Sequence, residues 1–257
     1  MKWIGQALMA AFFVVGVGAN CFGAIVWTRG HGDIGVEFKN SSLGLHFHLE
    51  DLSPGNFLGG IPSSAEAEPG DLIVGVPSAR QTTRASGTAW NFTGATASAP
   101  FWILPNGDEG NHPFVGFAAE TGEIGAGWTN FRFSVAAMSG PGQFSMWTGG
   151  SGGGDPVVRV SADRSINEFS INAGAHNHLN MGFTAEGMYA VTLQVLGTRT
   201  DNSTFSASDT FSFAVGDNAI NIASVPEPSS ILLLGITGIS GVGLAWLRRK
   251  RLNVSKP

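Results

Sequence analysis

The chain has 257 residues, 43% apolar and 13% charged, with one Cys and a formal net charge of −5. That apolar content excludes a chain that is mostly disordered, and a single Cys excludes a disulfide framework or a Cys-based zinc cluster. All 19 acids lie between Asp33 and Glu227, against eight basic residues from Arg29 to Arg199, an acidic body that excludes nucleic acid as partner.

In chain order, Lys2 comes first, before an uncharged apolar run from Trp3 to about Ala19 and then small residues. This is the layout of a secretory signal peptide read by the Sec machinery, so residues 1–24 are taken as the signal, with cleavage after Ala19 or Ala24. From 25 to 217 no segment keeps a period of 3.6. Short alternating runs separated by Gly, Pro, Asn, Asp and Ser predict strands instead. They fall at 34–38, 43–49, 71–76, 101–104, 131–138, 143–147, 157–160, 176–183, 189–196 and 210–215, and 53–69 reads as a surface excursion. The expected fold is all-β, a two-sheet Greek-key (Ig-like) β-sandwich. Gly187-Met188-Tyr189 at the head of an alternating run matches a tyrosine corner, whose hydroxyl pins the preceding turn.

Five of the six His fall in three short pairs: His31-Gly32-Asp33, His46-Phe47-His48 and His176-Asn177-His178. Residues two apart on a strand share a face. With Ile34, Val36 and Phe38, with Leu43, Leu45, Phe47 and Leu49, and with Leu179, Met181 and Phe183 turned inward, each pair falls on the opposite face. Asn180 falls there too. Neutral imidazoles joined by a carboxylate are zinc ligands, and zinc takes four. The candidates are His31, Asp33, His46, His48, His176 and His178, with those beyond four orienting the ligands. His112, in a loop before Pro113, is set aside.

Past residue 217 the chain reads as a linker and then Val225-Pro226-Glu227-Pro228-Ser229-Ser230. An uncharged apolar stretch at 231–247 follows, and then Arg248-Arg249-Lys250-Arg251. The stretch is just long enough to cross a bilayer as one transmembrane helix, and the basic run would stay cytoplasmic, placing the domain outside. Motif, helix and basic cluster in this order resemble the PEP-CTERM sorting signal of exopolysaccharide-producing Gram-negative bacteria. The resemblance implies sorting by exosortase, a membrane Cys transpeptidase thought to cut near Pro226-Glu227-Pro228. It implies an exported protein held in the inner membrane, then released to the cell surface or matrix.

A second resemblance rests on Gly30-His31-Gly32-Asp33-Ile34-Gly35-Val36, Trp102-Ile103-Leu104-Pro105 and Gly140-Pro141-Gly142-Gln143-Phe144. It continues through His176-Asn177-His178-Leu179-Asn180-Met181-Gly182-Phe183-Thr184 and Gly187-Met188-Tyr189. In order, these are similar to the choice-of-anchor M domain of actinobacterial surface-anchored proteins, although that family often has Trp where Met181 stands. The resemblance implies extracytoplasmic zinc handling beside a metal transporter, similar to zinc-regulated PEP-CTERM proteins, and it carries no catalytic residue. Gly149-Gly150-Ser151-Gly152-Gly153 formally fits a nucleophile elbow but lacks the strand-to-helix context, so no enzyme is expected. A metallohydrolase would need Glu50 or Asp51 as base beside the His cluster. The alternative is a structural or glycan-binding matrix protein that contacts exopolysaccharide through Trp90, Trp102, Trp128 or Trp147.

Overall fold

The computed structural model describes residues 24–108, 110–150 and 154–225. In chain order its strands are β1 (Ile25–Trp27), β2 (Gly30–Lys39), β3 (Ser42–Leu49), β4 (Phe57–Leu58), β5 (Glu66–Ala67), β6 (Leu72–Val76), β7 (Gln81–Thr83), β8 (Pro100–Leu104) and β9 (Pro113–Ala118). They continue as β10 (Trp128–Ser139), β11 (Phe144–Gly149), β12 (Pro156–Val160), β13 (Phe169–Asn172), β14 (His176–His178), β15 (Asn180–Phe183), β16 (Gly187–Arg199) and β17 (Thr204–Val215). The α-helices among these residues are α1 (Thr121–Ile124) and α2 (Asp217–Ser224).

The expectation of two sheets is corrected to three. A seven-stranded sheet runs β13-β10-β16-β17-β6-β1-β4, and the five-stranded sheets run β12-β11-β15-β8-β7 and β14-β9-β2-β3-β5. The division arises inside the segment read as one strand over 176–183. His176–His178 pairs with β9, whereas Asn180–Phe183 pairs with β8 and β11. Leu179, fully buried, is the residue at which the chain changes sheets. Three pairings are parallel, β1 with β6, β6 with β17 and β2 with β9, and each needs a long crossover instead of a hairpin. Asn180 is not on an outer face. It is 7% exposed, and its Oδ1 accepts the Asn106 N–H at 3.0 Å.

The two five-stranded sheets both pack on the seven-stranded one, which makes the whole sandwich-like. From β3, the Phe47 ring meets Phe211 of β17 edge-on at 5.0 Å. From β9, Phe117 meets Phe133 and Phe169 at 5.3 and 4.8 Å. Farther along the same face, since Phe211 and Phe213 are two apart on β17, Phe144 and Phe183 reach Phe213 at 6.1 and 5.4 Å. Each such ring, taken from water, contributes roughly 1.5–3 kcal/mol. Leu43, Leu45, Phe47 and Leu49 all point into this core, as the alternation predicts. Beyond β17, Ala219 and Ile220 of α2 are buried with Val26 and Ala214.

Among the described residues no helix is long and apolar enough to cross a membrane. The signal run before Ala24, Ser151–Gly153, Pro226-Glu227-Pro228, the stretch at 231–247 and Arg248–Arg251 lie outside the described residues.

Candidate metal centre

The register of the sheet β14-β9-β2-β3-β5 sets the polar side chains in rows on the face away from Ile34, Phe47 and Phe117. One row crosses all five strands, because His178 pairs with Gly116, Gly116 with Asp33, Asp33 with His48 and His48 with Glu66. A parallel row holds His176, Ala118, Gly35 and His46. His31 pairs with Phe114, and on its other side its carbonyl accepts the Glu50 N–H at 3.1 Å. Within these rows the residues between the polar ones are Gly or Ala, so the space above β9 and β2 is open to their neighbours' side chains.

Into that space His31, Asp33, His176 and His178 each turn one ligand atom, all four within 4.8 Å of one another. The Nε2 atoms of His176 and His178 are 2.6 Å apart, and those of His31 and His178 are 3.2 Å apart. Asp33 Oδ1 lies 3.7 Å from His31 Nε2 and 3.6 Å from His176 Nε2. Tetrahedral zinc with bonds near 2.0–2.2 Å spaces its ligands by about 3.4 Å, the scale of three of these four separations. Gly116 makes the approach possible. A Cβ there would come within 1.9 Å of Asp33 Oδ1 and 2.9 Å of His178 Cε1.

The electrostatics fit a cation. Asp33 is 1% exposed and its Oδ1 has no hydrogen-bond partner, a costly state for a buried carboxylate. Burial accordingly raises its pKa, against the pull of His176 and His31. Burial, with the neighbouring His176 and His31, pushes His178 down to about 4, so its imidazole is neutral at pH 7. His31 Nδ1 sits 2.8 Å from Glu50 Oε2. That contact holds the ring proton on Nδ1 and leaves the Nε2 lone pair facing the cluster, the usual support for a metal-bound imidazole. The His178 ring lies flat on Phe114, with centroids 3.7 Å apart and planes 4° apart.

His46 and His48 do not join this group and do not orient it, a correction to the single shared set. They form a second group with Glu66. Glu66 Oε2 is 2.6 Å from His46 Nε2, and Glu66 Oε1 is 2.6 Å from His48 Nδ1. Burial acts to lower the His48 pKa, but the hydrogen bond to Glu66 and the negative charge of Glu66 and its neighbouring acids together outweigh it, and the net shift is upward. Sequence reasoning missed Glu66, because β5 has only two residues and shows no alternation; Ala67 between two acids is its one trace.

The remaining candidates fall elsewhere. Glu50 supports His31, while Asp51 accepts the Ser53 N–H and hydroxyl at 2.9 and 2.6 Å in a turn. His112 belongs to neither group and is fully buried, with Nδ1 2.8 Å from the Pro113 carbonyl. Trp102, Trp128 and Trp147 are core residues and offer no stacking surface; Trp90 is half-buried.

No curated protein and no solved structure matches this chain. Residues 224–250 match the PEP-CTERM protein-sorting motif, and by that motif the chain is an exported protein sorted by exosortase.

Proposed function

We propose that this exported protein binds zinc through His31, Asp33, His176 and His178 for metal handling outside the cytoplasm, and that it catalyses no reaction itself. The observation that carries the reading is Asp33 Oδ1, buried without a partner above a glycine that cannot fill the space, with three imidazole Nε2 atoms around it. Three nitrogens and one carboxylate oxygen are a full zinc set, and Glu50 behind His31 completes the support. The sequence resemblance of the segments around His31 and His176 to choice-of-anchor M domains supports the same reading. Zinc, once bound, would neutralise the buried carboxylate and tie β2 to β14 across β9. In this reading the stretch at 231–247 anchors the protein in the inner membrane until exosortase acts, with a metal transporter as the partner for released zinc. A glycan-binding role draws less support, because three of the four candidate Trp side chains are core.

Zinc titration of the full chain, untagged and in detergent, tests this by metal stoichiometry and melting temperature. At a free zinc concentration a hundredfold above Kd the gain is about 2.7 kcal/mol, or on the order of 5–10 °C for a domain of this size. His176→Ala/His178→Ala should abolish the tight ion and most of the shift. A wild-type protein that retains no zinc and melts unchanged would overturn the reading.

A further inference from the structure

We propose that His46, His48 and Glu66 form a second divalent-cation site, built for exchange where the first is built for retention. It goes beyond the reading above: the site itself stands apart from that reading, and its order of filling and release rests on it.

The inference starts from His46, whose side chain is 4% exposed and whose two ring nitrogens both lack a hydrogen-bond partner. A buried imidazole left so costs stability unless something else meets it. Its Nε2 lies 2.6 Å from Glu66 Oε2, yet that oxygen is also buried and without a hydrogen bond. Contact without hydrogen-bond alignment means that the lone pairs do not point at each other. Ligand atoms of His46, His48 and Glu66 all lie within 4.8 Å of one another, close enough to meet one ion. His48 Nδ1, at 2.6 Å from the other Glu66 oxygen, is the third donor. Gly35, paired with His46, keeps the floor clear, since a Cβ there would lie 2.9 Å from His46 Nε2.

Ligand number sets the behaviour. Two imidazoles and one carboxylate leave at least one position of a tetrahedral ion to water or an incoming ligand, whereas the first group supplies all four. The two groups are neighbours, since Asp33 pairs directly with His48, so an ion in one repels an ion in the other. The three-ligand site therefore fills second and empties first. On one sheet face the protein would hold a retained ion beside a transferable one.

Equilibrium dialysis of the full-length, untagged protein against Zn²⁺, followed by stepwise chelation, tests this; Co²⁺ serves as the spectroscopic probe. The wild type should bind two ions, the second leaving first. Glu66→Gln and His48→Ala should each lose only the labile ion, and His176→Ala/His178→Ala should keep only that one. With Co²⁺, added azide should change the visible bands of the labile ion alone, as an open position requires. Circular dichroism of Glu66→Gln confirms that the variant is folded. If the wild type binds a single ion and His176→Ala/His178→Ala abolishes all binding, the second site is overturned and the first stands. If His48→Ala and Glu66→Gln keep the wild-type stoichiometry, it is overturned as well. If no variant binds metal, nor the wild type, both readings fall.

Discussion

Gly116 contributes to the first group by having no side chain. It stands between Asp33 and His178 in one row, and a methyl group there would occupy the place of the Asp33 carboxylate. Gly116→Ala should therefore cost about 1–3 kcal/mol by overpacking, read from denaturant unfolding. It should remove the tight zinc ion while the labile one remains. A second residue acts through protons. Asp163 accepts from the Ser161 hydroxyl at 2.6 Å and from the Ser165 N–H and hydroxyl at 3.0 and 2.8 Å, and these bonds hold its pKa down at about 2. The unfolded chain binds that proton near the ordinary value of about 3.9. The stabilisation is thus fully present above that value and is lost as pH falls through the folded one. Urea unfolding at a series of pH values should show wild type and Asp163→Asn differing at neutral pH and converging between about pH 4 and 2.

At the scale of elements, the corner before β16 shows how a sequence pattern becomes a fixed geometry. The Tyr189 hydroxyl donates to the Ala185 carbonyl at 2.8 Å and accepts the Ala185 N–H at 3.1 Å. Its ring packs against Phe183 at 5.0 Å. Tyr189→Phe keeps the ring and strands both Ala185 groups, so it should cost about 1–3 kcal/mol, measured by thermal unfolding. This corner was legible because Gly-x-Tyr at the start of a strand is local, and the face of β3 was legible because alternation over eight residues is local too. The break at Leu179 was not. Leu179, Met181 and Phe183 are all buried, so the alternation runs unbroken through a point where the chain exchanges one sheet for another. Strand β9 was hidden by Pro113 and Gly116, which read as breakers. Pro is tolerated at the first position of a strand, and Gly116 is there to give space.

For the molecule as a whole, the six predicted His and Asp positions fall into two groups, a partition that the sequence did not disclose. Which pairs meet depends on strand order, and strand order depends on non-local contacts such as Phe47 with Phe211 and Phe117 with Phe169. Glu66 was invisible for the same reason, being brought to His48 by a two-residue strand at the sheet's edge. Alternation puts Asp33 and His46 on the face away from the core, yet both are buried, a fact no alternation reports. The first group has a consequence for timing. His31 and His178 are 147 positions apart in the chain and meet only after β2 and β14 have both docked on β9. Before that, the chain offers zinc only short pairs with nothing to complete them. An ion acquired at this centre would thus record the compartment in which the domain folded, whatever metals surrounded the ribosome that made it.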